Sequence, residues 1–156
     1  MAEVTVTIHA PRDQVHAVLA DALRYSNWVV GTKHVHQADA DWPRVGSRLK
    51  HTVGLGPVAL KDHTEVLRSD LQEWELDARG WPAGRARVRL TLEVVPAGTR
   101  IVMFETPVSG PGAWIPEALV TPMLKARNTV ALRRLRDTVQ HLARTAEGTS
   151  RPPAEA

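Results

Sequence analysis

The most constraining feature of this 156-residue chain is a series of alternating apolar and polar positions, followed by one long amphipathic segment. In four segments between residues 49 and 94, every second side chain is mostly apolar. This period of two predicts antiparallel strands with one buried and one solvated face. Helical spacing then predicts one helix over residues 122–147, with Thr121 as its N-cap and Pro122 at its first position. Strands closed by a long helix indicate an α+β fold.

Each of these four strands has one face that is predicted to point inwards. The faces are Leu49, His51 and Val53; Val58, Leu60, Asp62, Thr64 and Val66; Trp74, Leu76 and Ala78; and Ala86, Val88, Leu90, Leu92 and Val94. Residues 99–106 are predicted as a further strand. Both of its faces are apolar, so the pattern leaves open whether Met103 and Glu105 point inwards.

The N-terminal part of the chain predicts a strand, a helical region and another strand. Residues 4–8 alternate, and apolar positions then follow helical spacing from Pro11 to about Trp28. A break near Asp21 divides this region into two short helices. Residues 32–38 are predicted as a strand.

Composition limits the class of protein. The chain has no cysteine, which excludes disulfides and cysteine-ligated zinc, and it has no apolar run long enough for a transmembrane helix. No signal peptide is recognised, so a cytoplasmic location is expected. The net charge of +3 is too small to predict nucleic-acid binding. We expect a single domain over residues 1–147, and a disordered tail over residues 148–156.

A hairpin centred on Pro82 would place acidic side chains opposite arginines. Glu75 would face Arg89, and Asp77 would face Arg87. The arginine row has two interpretations, an anion-binding stripe or a solvated, self-neutralised sheet face, and the acidic partner row favours the second.

The sequence contains no motif for a metal or a nucleotide cofactor. His34 and His36 share one strand face, but a zinc site needs a third ligand that nothing nearby supplies. Glycine-rich phosphate loops and nucleophile elbows are also absent from the sequence. The segment Gly110-Pro111-Gly112, followed by Trp114, is interpreted as a flexible lid or as a simple reversal of the chain.

Polar residues on apolar strand faces are the candidates for chemistry. The candidate acid/base residues are His51, Asp62 and Glu105, with Thr64 beside Asp62. Structural alternatives remain open for each. His51 would be a core histidine bonded to a carbonyl, Asp62 and Thr64 would bond each other, and Glu105 would lie in water at the sheet end.

Several motifs together resemble one known superfamily. They are Trp42-Pro43-x-Val45-Gly46, Asp62-x-Thr64-x-Val66, Gly98-Thr99-Arg100-Ile101, Arg127-Asn128 and Leu132-Arg133-Arg134-Leu135. Their order resembles the START-like helix-grip (SRPBCC) superfamily, in its polyketide cyclase/dehydrase and lipid-transport branch. The resemblance implies a curved antiparallel sheet of six to seven strands wrapped around the C-terminal helix, with a ligand cavity between them.

The resemblance also implies a function: binding or carriage of a small hydrophobic, lipid- or polyketide-like molecule. The alternative is a cyclase/dehydratase-type enzyme without a metal or nucleotide cofactor. Family cyclases use pocket arginines and tyrosines, whereas the single tyrosine here, Tyr25, lies in the predicted N-terminal helical region. The expected cavity lining is Leu49, His51, Asp62, Thr64, Trp74, Leu76, Leu90, Met103 and Met123.

Trp74 has a second interpretation, as a core anchor. The expected partner is a small apolar ligand, with no nucleic acid, no stable membrane insertion, and a monomeric or homodimeric state. A third hypothesis, an interaction surface on the basic outer face of the helix, is weaker because no aromatic platform accompanies the arginines.

Overall fold

The computed structural model of the chain describes residues 1–80 and 83–150. These residues form one seven-stranded antiparallel sheet in the order β1-β7-β6-β5-β4-β3-β2. The strands are β1 (Ala2–Ile8), β2 (Thr32–Ala38), β3 (Arg48–Leu55), β4 (Val58–Ser69), β5 (Glu73–Gly80), β6 (Gly84–Val95) and β7 (Gly98–Ser109). The helices are α1 (Arg12–Ala20), α2 (Tyr25–Trp28), α3 (Pro111–Trp114) and α4 (Glu117–Thr149). The predicted α+β helix-grip fold is confirmed.

The core lies between the inner face of the sheet and the helices. Most of the inward-pointing residues predicted from alternation are buried there, including Leu49, Val66 and Leu90. The expected burial is wrong near the strand ends, where Val58, Leu60 and Val94 are 49%, 41% and 64% exposed. Strand β7, whose faces the sequence left open, buries Met103 and Glu105. On its outer face Phe104 is half-buried beneath the guanidinium of Arg89, which lies 5.0 Å from the ring centroid.

The closing helix begins earlier than the sequence predicts. Its N-cap is Pro116, and Pro122 lies inside the helix, so the predicted start at Pro122 with Thr121 as N-cap is wrong. Val120 and Leu124 bury against Ala2 of β1, and this apolar contact holds the additional turn. Its stabilisation offsets the one helical hydrogen bond that Pro122 cannot donate.

The C-terminal end of the helix lies at Thr149, close to the predicted end. The expected disordered segment 148–156 falls mostly on residues 151–156, which lie outside the described residues.

The predicted break near Asp21 is present. The Asp21 carboxylate accepts a hydrogen bond of 3.0 Å from the amide of Leu23, which starts a single 3-10 turn over Ala22–Arg24. This turn separates α1 from α2, so the two short helices expected after the first strand are confirmed.

The predicted register of the β5–β6 hairpin is confirmed, with Glu75 opposite Arg89 and Asp77 opposite Arg87. The ion pairs form diagonally. Arg87 Nε lies 3.3 Å from Glu75 Oε1, and Arg85 bonds Asp77. The turn residues 81–82, on which the predicted hairpin was centred, lie outside the described residues. The acidic row therefore neutralises the arginine row on the outer face.

In the described part of the chain, no helix is long and apolar enough to cross a membrane.

Candidate functional site

A buried polar cluster lies on the inner face of β3 and β4. His51 Nε2 lies 3.0 Å from the hydroxyl oxygen of Thr64, and the same oxygen lies 2.9 Å from the hydroxyl of Tyr25. All three side chains are buried, and only 2% of His51 is exposed. We call the three residues the His51–Thr64–Tyr25 relay. They form a continuous hydrogen-bond chain from β3, through β4, to α2.

Strand register and a short helix bring the relay together. Leu49 pairs with Thr64 and His51 pairs with Asp62, so His51 and Thr64 are diagonal neighbours on one face. Tyr25 is the first residue of α2, and its ring stacks on the His51 ring with centroids 5.5 Å apart. Trp28, one turn later, contacts the same tyrosine edge-on.

One polar atom of the relay is unsatisfied. His51 Nδ1 is buried and has no hydrogen-bond partner among the described residues. Burial lowers the pKa of His51 to about 4, against the opposing effect of the nearby Asp62 carboxylate. Burial also raises the pKa of Tyr25 to about 12. At neutral pH the relay therefore contains an uncharged imidazole and a protonated phenol.

Asp62 is a neighbour of His51, but the two do not form the hydrogen-bonded pair that acid/base catalysis would use. The Asp62 carboxylate accepts from the backbone amide of His63 at 2.9 Å, and the side chain is half-buried. The alternative bond between Asp62 and Thr64 does not form either, because the Thr64 hydroxyl bonds Tyr25 and His51.

Glu105 lies in a separate cluster. It is 2% exposed, so the alternative of a solvated carboxylate at the sheet end is wrong. Its oxygens accept from Arg127 Nη2 at 2.9 Å and from Asn128 Nδ2 at 2.6 Å. Both donors belong to α4, so this cluster joins the helix to β7.

The remaining predicted lining residues fall into two groups. Met123 is 60% exposed on α4. The others lie in the hydrophobic core, where Trp74 packs with its ring centroid 5.4 Å from that of His16. The core group is Leu49, Trp74, Leu76, Leu90 and Met103.

Beside the relay, the inner face is formed by small residues. Ala78 pairs with Thr64 on one side and with Ala86 on the other, and the next pair along the hairpin is Gly80 and Gly84. Both alanines are half-buried. These positions extend no large side chain over the sheet. We call Ala78, Ala86, Gly80 and Gly84 the small-residue floor.

The N-terminal end of β4, before the residues that pair with β5, is apolar and open to solvent. Val58 and Leu60, which share the face of Asp62, are 49% and 41% exposed. Exposed apolar side chains and small residues therefore adjoin a buried polar cluster, and apolar surface with a few polar groups is the usual composition of a small-molecule site.

A different cleft, of about 300 Å³, lies between α1 and the C-terminal half of α4. It is not lined by any residue of the predicted cavity. Its lining is Gln14, Ala17, Val18, Asp21, Arg24, Val139, Leu142, Ala143 and Ala146.

The histidine pair on β2 does not extend into a metal site. The rings of His34 and His36 lie 4.9 Å apart, and His36 Nε2 bonds the hydroxyl of Thr52. Within residues 1–80 and 83–150, no group of three or more His, Asp or Glu side chains could hold a metal ion.

The glycine-containing segment after β7 forms the one-turn helix α3. The amide of Gly112 donates to the carbonyl of Ala83 at 2.7 Å, which attaches this turn to the end of the β5–β6 hairpin. Trp114 at its end is highly exposed. The segment reverses the chain, and the lid remains a hypothesis.

The two polar clusters are only partly predictable from sequence. Polar residues on apolar strand faces indicate His51, Thr64 and Glu105, whereas no local pattern assigns Tyr25 to the relay or Arg127 and Asn128 to the Glu105 cluster. The available signal for Tyr25 was its helical spacing of three from Trp28, which places two large aromatic side chains on one face.

Sequence comparison agrees with this architecture. The sequence model of the family described as polyketide cyclase / dehydrase and lipid transport matches residues 1–140. The chain belongs to this polyketide cyclase/dehydrase and lipid-transport family. No curated protein matches the chain.

Solved structures with the same fold share little sequence with this family member. A Staphylococcus aureus protein of unknown function has a TM-score of 0.71 at 6% identity, covering 92% of this chain and 94% of that one. The AHSA1-like protein from Aeromonas hydrophila has a TM-score of 0.66 at 14% identity, covering 99% and 98%. A Chromobacterium violaceum protein has a TM-score of 0.64 at 19% identity, covering 87% and 94%. These likenesses show the fold alone.

Proposed function

We propose that residues 1–147 form a single domain that binds a small, largely apolar molecule on the inner face of the sheet. The site consists of the small-residue floor, the exposed apolar N-terminal end of β4 and the His51–Thr64–Tyr25 relay. Apolar contact would supply most of the affinity, and the relay would orient the ligand.

The observation that carries this proposal is the unsatisfied Nδ1 of His51 in a relay whose Thr64 pairs with Ala78, the first residue of a surface that lacks large side chains. A buried polar atom without a partner costs about 1–3 kcal/mol. Such a cost is recovered when a ligand atom pairs with it. Membership of a family named for cyclases, dehydrases and lipid transport supports the same conclusion.

The alternative function, a cyclase/dehydratase-type enzyme, is supported by the same relay, because it joins a titratable ring to two hydroxyls. Two observations favour binding. A pKa of about 4 makes His51 a weak base at neutral pH, and Asp62 is not bonded to the ring. If the relay were catalytic, His51→Ala would reduce turnover by about 10²–10⁴-fold, whereas a carrier would lose only part of its affinity.

Occlusion of the floor tests the proposal. We expect wild-type protein to bind the neutral fluorophore Nile red saturably and Ala78→Trp to abolish the binding. Ala97→Trp is the matched control, since Ala97 lies in the exposed β6–β7 turn at the opposite end of these strands. Circular dichroism would show that both variants fold. Equal binding by both variants would contradict the proposed location.

A further inference from the structure

We propose that His51 presents its Nδ1–H as a hydrogen-bond donor to an uncharged carbonyl oxygen of the ligand. This inference rests on the proposed function and specifies the chemical class of the ligand: a ketone, ester or amide rather than a pure hydrocarbon or a carboxylate. It follows from the direction in which the relay hydrogen bonds run.

The relay contains three protons and two hydrogen bonds, so its possible directions can be counted. Tyr25 can donate to Thr64, which then donates to His51 Nε2, and the imidazole proton lies on Nδ1. This arrangement leaves one group unpaired among the described residues, the Nδ1–H. The tyrosine proton, the threonine proton and Nε2 are all satisfied.

Each other direction leaves two groups unpaired. If His51 Nε2–H donates to Thr64 and Thr64 donates to Tyr25, the phenol proton and the Nδ1 lone pair have no described partner. If Tyr25 and His51 both donate to Thr64, the threonine proton and the Nδ1 lone pair are unpaired. Buried polar groups without partners are destabilising, so the first direction is favoured.

The protonation states agree with this direction. The pKa of Tyr25 is raised to about 12, so its hydroxyl keeps its proton and is able to donate. The pKa of His51 is lowered to about 4, so the ring is neutral and carries a single proton. That proton has only Nδ1 available once Nε2 accepts from Thr64.

The surroundings of His51 select against a charged ligand. The ring is uncharged, and Asp62 lies directly opposite it on β4, so a ligand carboxylate would meet a like charge without a compensating cation. Arg127, whose charge acts to lower the pKa of Tyr25, already binds Glu105. An uncharged oxygen acceptor is not repelled by Asp62 and needs no cation to balance its charge.

The tautomer can be measured without a ligand. In protein carrying ¹⁵N-labelled histidine, long-range ¹H–¹⁵N spectra report which ring nitrogen of His51 is protonated. The His51→Phe variant assigns the signals. We expect the proton on Nδ1 at pH 7. A proton on Nε2 would overturn the inference whatever the ligand results are.

Matched probes test the ligand class: 2-acetylnaphthalene, 2-ethylnaphthalene and 2-naphthoate. One uncharged hydrogen bond predicts that the ketone binds about 3–10-fold more tightly than the hydrocarbon, with naphthoate weakest. Thr64→Val, which removes the donor that holds the proton on Nδ1, should reduce this preference, and Thr64→Ser should keep it. Binding of the hydrocarbon serves as the folding control for each variant.

The outcomes separate the two claims. Equal binding of ketone and hydrocarbon to wild-type protein would overturn the carbonyl inference and leave the apolar site intact. No binding of either probe would overturn the proposed function and the inference with it. Retention of the ketone preference by both Thr64 variants would show that the relay does not set the donor.

Discussion

Arg127 Nη2 on α4 lies 2.9 Å from each carboxylate oxygen of Glu105 on β7. Asn128 adds a further hydrogen bond of 2.6 Å to the same carboxylate. Glu105 is 2% exposed, so protein donors replace most of its hydration. This three-residue clamp joins the closing helix to the sheet at a fixed position and thereby fixes the side of the helix that faces the inner surface.

Removal of the arginine should destabilise the fold. In Arg127→Met the apolar stem remains but the carboxylate loses one of its two donors, so the free energy of unfolding should fall by about 1–3 kcal/mol. The 42% exposure of the Arg127 side chain keeps the expected loss below that of a fully buried pair. Urea unfolding measures the effect.

The control for the clamp is Arg133→Met, an exposed arginine on the same helix. It should change the unfolding free energy by less than about 0.5 kcal/mol. If Arg127→Met and Arg133→Met lowered the unfolding free energy by similar amounts, the stabilising role of the clamp would be contradicted. The double variant Arg127→Met/Glu105→Leu should recover part of the loss because it removes the unpaired charge.

The buried histidine should make stability depend on pH. The pKa of His51 is lowered by burial from 6.5 to about 4, with Asp62 raising it and His63 and His36 lowering it, and Tyr25 stacks on the ring. Between these two values the unfolded state binds a proton that the folded state does not. Stability should therefore be complete above about pH 6.5 and fall as the pH decreases towards 4, by at most about 3 kcal/mol from this group.

Urea unfolding at pH 7 and pH 4.5 measures this dependence. His51→Gln should flatten the difference between the two pH values, whereas His141→Gln, which changes an exposed histidine on α4, should leave it unchanged. If His51→Gln retained the wild-type pH dependence, another group would be responsible.

The outer-face ion pairs of the β5–β6 hairpin should contribute little. Arg85 holds the pKa of Asp77 below its usual value through a hydrogen bond, yet the arginine is exposed to solvent. Asp77→Asn should lower the unfolding free energy by less than about 1 kcal/mol, and 1 M salt should remove most of the difference. A larger, salt-insensitive loss would contradict a solvated sheet face.

The helix–sheet core should contribute most of the stability. Leu135 on α4 is fully buried, and Leu135→Ala should lower the unfolding free energy by about 2–5 kcal/mol through lost burial and a new cavity. Val130→Ala on the same helix, 40% exposed, is the control and should cost much less. Thermal and urea denaturation measure both variants. Equal destabilisation by Leu135→Ala and Val130→Ala would contradict the prediction.

The strands were predictable because one face of each is in contact with the core and the other with water. Alternation of period two thus identified the buried inner residues in the middle of β3 to β6, but not the exposure of Val58, Leu60 and Val94 near the strand ends. It did not identify the inner face of β7, because Val102 and Phe104 on the outer face are half-buried and apolar. The outer face of β7 is half-buried because β1 pairs with this strand and Arg89 covers Phe104. Both contacts appear only in the tertiary structure.

The start of α4 and the relay were less predictable for a related reason. A proline usually marks a helix start, and the contact of Val120 with Ala2 that overrides it joins opposite ends of the chain. Tyr25 and Thr64 lie 39 residues apart and on different elements, so no local pattern indicates their hydrogen bond. The sequence identified the polar residues, and the fold determined which of them meet.

The central claim is that the inner face beside the His51–Thr64–Tyr25 relay binds a small apolar molecule. An amide NMR titration with 2-acetylnaphthalene tests it most directly, because it locates the contact as well as detecting it. The account predicts saturable shift changes concentrated at His51, Thr64, Ala78 and Ala86. Changes confined to the α1–α4 cleft around Gln14 and Leu142, or no changes at all, would contradict it.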